Sequence, residues 1–139
     1  MSSDKDIVIF YTEDVEEVFK YWLKFIRDTW SSKSRGARSL EKALEILESD
    51  SFVPDVAIFD RGILRHEDDT VDDQLAGDQL YYELCEMKIP IAVLSGHPLE
   101  RRKPYSSKPP QLGFYSKPTT EKSLRQAVEA FKQLKGAES

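Results

Sequence analysis

The sequence predicts an α/β fold: a three-layer, doubly wound, five-stranded parallel sheet. Three observations carry that expectation. Short apolar runs alternate with amphipathic helical patterns along the chain. The runs are apolar at successive positions, as strands buried on both faces must be. No internal repeat or low-complexity tract interrupts the alternation.

The elements follow in order. Ile7-Val8-Ile9-Phe10-Tyr11 is a β-branched and aromatic run and predicts the first strand. Val15, Val18, Phe19, Trp22 and Ile26 recur at helical spacing. Asp14 is placed to cap that helix, and Glu16 and Glu17 suit its positive end. The polar stretch 31–38 has room only for a weak edge strand near Gly36-Ala37. Ser39 opens a second helix, with Leu40, Ala43, Leu44 and Leu47 on one face and its acidic side wet. Pro54-Asp55 punctuates the start of the strand Val56-Ala57-Ile58-Phe59. Gly77 to Met87 predicts a helix with Leu80, Tyr81 and Leu84 inward. Ile89 to Leu94 is a strand stopped by Ser95-Gly96, and Gly113 to Ser116 is a short one before Lys117-Pro118. Leu124, Ala127, Val128, Phe131 and Leu134 make the apolar stripe of a last helix. The stretch from Pro98 to Leu112 holds Pro98, Pro104, Pro109 and Pro110, so a loop or a very short helix is expected there.

Size and charge narrow the function. The 139 residues suit one domain, spanning 1–139 with a core over about 6–135. A net charge of −5 argues against nucleic-acid binding, which needs a basic stripe. Arg101-Arg102-Lys103 is too short a patch for it. The one cysteine, Cys85, excludes an internal disulfide framework and fits a reducing, cytoplasmic setting. Cys85 itself belongs to the core. The N-terminus is unlike a secretory signal, and no apolar run approaches the roughly 20 residues of a membrane span. His66 and His97 lack the neighbours a zinc site requires. Tyr21, Trp22 and Trp30 are expected to pack rather than to cage a ligand.

Ligands of an open parallel sheet bind beyond the carboxyl ends of the strands. Thr12, Glu13 and Asp14 follow the first run, Asp60 the second, Ser95-Gly96 the third and Lys117-Pro118 the last. Carboxylate oxygens suit a hard cation such as Mg²⁺. That cation would neutralise an incoming phosphoryl group, with Lys117 and Ser95 holding its oxygens. Asp60 would then act as the nucleophile. Each residue also has a plainer reading. Asp60 could cap a loop or pair with Lys117, Ser95 could cap a turn, and Glu13 and Asp14 could serve only the helix start.

The ordered set resembles the receiver domain of two-component response regulators, from Ile7 to Leu134. The motifs are the acids after the first strand, Pro-Asp-Val-Ala-Ile-Phe-Asp ending at Asp60, Gly77-Asp78, Ile-Ala-Val-Leu-Ser ending at Ser95, and Phe-Tyr-Ser-Lys-Pro ending at Pro118. The resemblance implies the flavodoxin-like receiver fold, with Asp60 phosphorylated by a histidine kinase or a histidine phosphotransfer protein. It implies catalytic roles for Asp60, Ser95 and Lys117, and Mg²⁺ held by Glu13, Asp14, Asp60 and the Arg61 carbonyl. It makes Phe114 the switch aromatic. The domain would not be an enzyme in the ordinary sense, beyond self-catalysed phosphotransfer and dephosphorylation. It would stand alone, acting through a downstream protein partner, with homodimerisation open.

The sequence departs from the family at three places. Strict counting puts Tyr11 and Thr12 where the family has two acids, and a shift of two residues puts Glu13 and Asp14 there. The first register implies a pseudo-receiver that binds partners without phosphorylation, the second ordinary chemistry. The segment between Asp60 and Gly77 is long and acidic, and reads as a solvated loop, a docking loop or a cation site. The fourth-helix region is altered by its prolines. A phosphatase with an aspartate nucleophile would need a second aspartate where Gly62 stands.

Overall fold

The computed structural model describes residues 4–60, 62–96 and 109–138. Its elements are β1 (Ile9–Thr12), α1 (Glu16–Thr29), β2 (Arg35–Ala37), α2 (Leu40–Leu47), β3 (Val56–Asp60), α3 (Gln74–Glu86), β4 (Ile91–Ser95), β5 (Phe114–Ser116) and α4 (Glu121–Glu138). The five strands form one parallel sheet in the order β2-β1-β3-β4-β5. This is the flavodoxin-like receiver arrangement. Its order reverses between β1 and β3, which opens a crevice at their carboxyl ends.

Alternation along each strand feeds two separate cores. Phe10, Ala57, Phe59, Ile91 and Val93 face α2 and α3, where they meet Leu40, Ala43, Leu80 and Leu84. Ile9, Tyr11, Val56, Ile58, Ala92 and Leu94 face α1 and α4, where they meet Ile26, Leu124, Val128 and Phe131. Both faces are covered, so the central strands β1, β3 and β4 are apolar at every position before their last residue.

Local chemistry moves several boundaries from their expected places. The N-cap of α1 is Val15, without a side-chain hydrogen bond, so Asp14 does not cap it. Ser39 does cap α2, accepting from the Lys42 amide. Helix α3 begins three residues before Gly77 because the Asp73 carboxylate accepts from the Leu75 and Ala76 amides. Strand β4 begins at Ile91, after Pro90; the Ile89 amide is spent on the Leu84 carbonyl at the end of α3. Trp30 and Ile26 are buried, whereas Tyr21 is 65% exposed and edge-packed on Trp22. Residues 98–108 of the proline-rich stretch lie outside the described residues, as does the basic patch at 101–103.

The edge strand β2 was the faintest in the sequence because it is only three residues long and lies in the mostly polar stretch 31–38. Gly36 is what lets it close on β1. A β-carbon there would stand 2.5 Å from the Tyr11 carbonyl oxygen and 2.8 Å from Phe19 Cε1. Gly36→Ala is therefore expected to destabilise the fold by about 1–3 kcal/mol, the usual cost of overpacking. Urea unfolding would show it as a lower midpoint with an unchanged slope.

The acidic segment after Asp60 is docked rather than loose. The Leu64 amide donates to the Arg38 carbonyl (2.9 Å), and the Leu40 and Glu41 amides donate to the Leu64 and Arg65 carbonyls (2.8 and 3.1 Å). Ser39 and Leu64 thus form a parallel bridge beyond the end of β2. The Ser39 hydroxyl donates to Glu67 Oε1 at 2.7 Å, and Arg65 pairs with Asp73 at 2.8 Å.

Candidate functional site

Strand register decides which acids reach Asp60. Ile9 pairs with Val56, Phe10 with Ala57 and Tyr11 with Ile58. Continuing that register sets Glu13 opposite Asp60 and leaves Glu13 and Asp14 directly after β1. Tyr11 and Thr12 remain inside the strand. Asp60 in turn pairs with Leu94, so Ser95 lies one residue further along the same rim.

Three carboxylates converge there. Glu13, Asp14 and Asp60 each offer an oxygen, all within 4.8 Å of one another. Glu13 and Asp60 are buried, at 2% and 6% exposure. Lys117 Nζ lies 2.5 Å from Asp60 Oδ2 and 3.3 Å from Glu13 Oε2. The Gly62 amide donates to Asp60 Oδ1 (3.0 Å), and the Asp14 amide to Glu13 Oε2 (3.1 Å). Lys117 itself is tied to β4, because its amide donates to the Ser95 carbonyl at 3.0 Å.

Electrostatics reflects this crowding. Burial, followed by the hydrogen bond and charge of Asp60, pushes the Glu13 carboxyl up to about 8, although Lys117 opposes the shift. Burial lowers the affinity of Lys117 for its proton, but the charges of Asp60 and Glu13 outweigh that and hold its pKa above the ordinary value. One ammonium therefore serves two buried carboxylates, and Asp14 adds a third acid. An all-oxygen set with this excess of negative charge fits a hard divalent cation such as Mg²⁺.

Two residues that the sequence placed near the rim take roles that it did not suggest. Thr12 is fully buried, and its Oγ1 accepts from the Asp60 amide at 2.8 Å while donating to the Asp60 carbonyl at 3.2 Å. It fixes the Asp60 backbone from the neighbouring strand. A threonine immediately before strand-end acids was the available signal. Tyr11 turns its hydroxyl to the same region; burial, then Glu13, pushes its pKa up, and Thr119 lies close by.

The remaining expected residues divide. Ser95 is buried at the rim, in register with Ser116. Phe114 is half-buried in β5 and packs against the α2–α3 core. Arg61 and His97 lie outside the described residues. His66 sits on the docked segment, 3.4 Å from Glu41, and Cys85 is half-buried against the α2–α3 core.

With this geometry in view, solved structures place the fold: it is that of response regulator receiver domains. The signal receiver domain of a modulated diguanylate cyclase from Desulfovibrio desulfuricans G20 matches with a TM-score of 0.69 at 17% identity, over 96% of this chain and 100% of that one. The N-terminal domain of a response regulator/sensory box/GGDEF three-domain protein from Carboxydothermus hydrogenoformans matches at 0.65 and 19%, over 94% and 98%. A receiver domain from Methylobacillus flagellatus matches at 0.66 and 14%, over 91% and 98%. No protein-family model matches the sequence, and no curated protein sequence matches it. Among the described residues no helix is long and apolar enough to cross a membrane.

Proposed function

We propose that the chain is a phosphoacceptor receiver domain in a phosphorelay, signalling through protein contacts in the cytoplasm. The observation that carries this reading is the convergence of Glu13, Asp14, Asp60 and Lys117 at the carboxyl rim of a receiver-fold sheet. An Asp60 carboxylate oxygen attacks phosphorus, forming the O–P bond of an acyl phosphate as the N–P bond of a phosphohistidine donor breaks. The donor is a histidine kinase or a histidine phosphotransfer protein. Lys117 can transfer its hydrogen bond from Asp60 to a phosphoryl oxygen, and Ser95 stands at the rim to meet another. Glu13, Asp14 and Asp60 would hold Mg²⁺, which supplies positive charge against the arriving phosphoryl group. Thr12 keeps the Asp60 backbone fixed throughout. Phe114 is the aromatic that responds to the change, and hydrolysis of the acyl phosphate resets the domain.

One feature favours a second reading, a pseudo-receiver that binds partners without accepting phosphate. Lys117 already compensates Asp60 and Glu13, so the pocket can persist as a closed ion-pair cluster. Acetyl phosphate with Mg²⁺ separates the two. The wild type is expected to gain the mass of one phosphoryl group, measured on the intact protein, and Asp60→Asn to gain none while keeping its circular dichroism. No adduct on the wild type, together with no Mg²⁺ binding by calorimetry, would establish the pseudo-receiver.

A further inference from the structure

Large apolar side chains on a small domain are normally covered, and exposed ones gathered on a single face mark a contact surface. Leu75 and Tyr82 are seven residues apart on α3, so they share one face of the helix. They are 71% and 52% exposed. Val71, two residues before the α3 N-cap, is 73% exposed. The segment leading into this face carries the exposed carboxylates Asp68, Asp69 and Asp72. Nearby Arg65 is already paired with Asp73. The exposed polar residues Asp78 and Gln79 stand between Leu75 and Tyr82 on this face. The surface thus carries apolar side chains interleaved with polar and acidic ones, and the chain leading to it is tied at Leu64 and Arg65 to Arg38, Leu40 and Glu41.

We propose that this face of α3 is a docking surface for a basic amphipathic helix of a protein partner. The partner's apolar side chains would cover Val71, Leu75 and Tyr82, as a helix lays its anchors into an apolar strip. Its Lys and Arg side chains would meet Asp68, Asp69 and Asp72, which sets orientation and speeds encounter. The inference rests on the surface alone and does not depend on phosphorylation of Asp60.

The test uses the full chain and three synthetic helical peptides of equal length. One has leucines on one face and lysines on the other. The second replaces lysine with glutamate. The third scrambles the first so that no apolar face forms. Fluorescence anisotropy is expected to show binding of the first peptide, at least tenfold weaker binding of the scramble and none of the acidic peptide. Amide shift changes should centre on residues 68–82. Raising salt from about 50 to 300 mM should weaken binding about tenfold. Leu75→Glu and Tyr82→Glu should each weaken it at least tenfold with unchanged thermal unfolding, since both side chains are exposed. The proposal is overturned if shifts map elsewhere, if the two variants bind like the wild type, or if the scramble binds equally. It is also overturned if sedimentation shows that the face closes on a second copy of the chain.

Discussion

Replacing Lys117 with methionine is expected to destabilise the protein by about 2–3 kcal/mol at pH 8 and by clearly less at pH 5. Removing one partner of a buried ion pair strands the other, at a usual cost of 3–5 kcal/mol. The Lys117 side chain is 25% exposed, so solvent screening reduces that figure. What remains without it are two buried carboxylates that face each other. At pH 5 the Glu13 carboxyl keeps its proton and adds no charge beside Asp60; towards pH 8 it begins to ionise. Urea unfolding at the two pH values measures the difference, and equal losses would mean that Lys117 acts through packing alone. In the proposed reaction the same variant loses the donor that holds a phosphoryl oxygen. Its rate with acetyl phosphate is expected to fall at least 100-fold, a size typical of removing one such donor.

The second large effect belongs to Glu13. Its carboxyl titrates near 4.5 in an unfolded chain and near 8 in the folded, cation-free protein, because it is buried beside Asp60. Between those values the folded state holds a proton that the unfolded state has released. The slope of stability against pH is therefore negative across this window. Stability contributed by the neutral carboxyl is full below about pH 4.5 and is lost as pH rises towards 8. The loss should amount to a few kcal/mol, at about 1.4 kcal/mol for each unit of displacement. Glu13→Gln should flatten the profile. Mg²⁺ should flatten it as well, since a bound cation favours the ionised form. A wild-type profile already flat between pH 5 and 8, or a Glu13→Gln profile as steep as wild type, would remove this account of the pocket.

The sequence made the interior of the fold plain. Runs such as Val56 to Phe59 are apolar at every position, and only strands covered on both faces require that. Asp60 and Ser95 could be placed on one rim because each follows such a run, and Lys117 joined them because it follows the short strand candidate ending at Ser116. The first strand was less legible. Its apolar run begins at Ile7, but the strand starts at Ile9, and only pairing with β2 and β3 fixes its end. That two-residue difference decides whether Tyr11 and Thr12 or Glu13 and Asp14 stand beyond the strand. The role of Thr12 was hidden for a related reason, since its partner is the Asp60 backbone across the sheet. Asp73 was missed as a cap because it lies within a run of acids that reads as solvated loop. Docking of that segment on Ser39 is a contact between distant residues, and no local pattern announces it.

The bridge between Leu64 and Ser39 has a mechanical consequence. A long link from the end of β3 to the start of α3 would ordinarily fluctuate as one span, and what happened at Asp60 would dissipate within it. Pinned near its beginning, the link becomes two shorter spans with fewer accessible shapes. The first span runs from Asp60 through Gly62 to Leu64 and is anchored at both ends. Its far end is tied to α2, because the Leu40 amide donates to the Leu64 carbonyl. The first turn of α2, rather than the loop's acidic crest, is thus the fixed point nearest to Asp60 along the link.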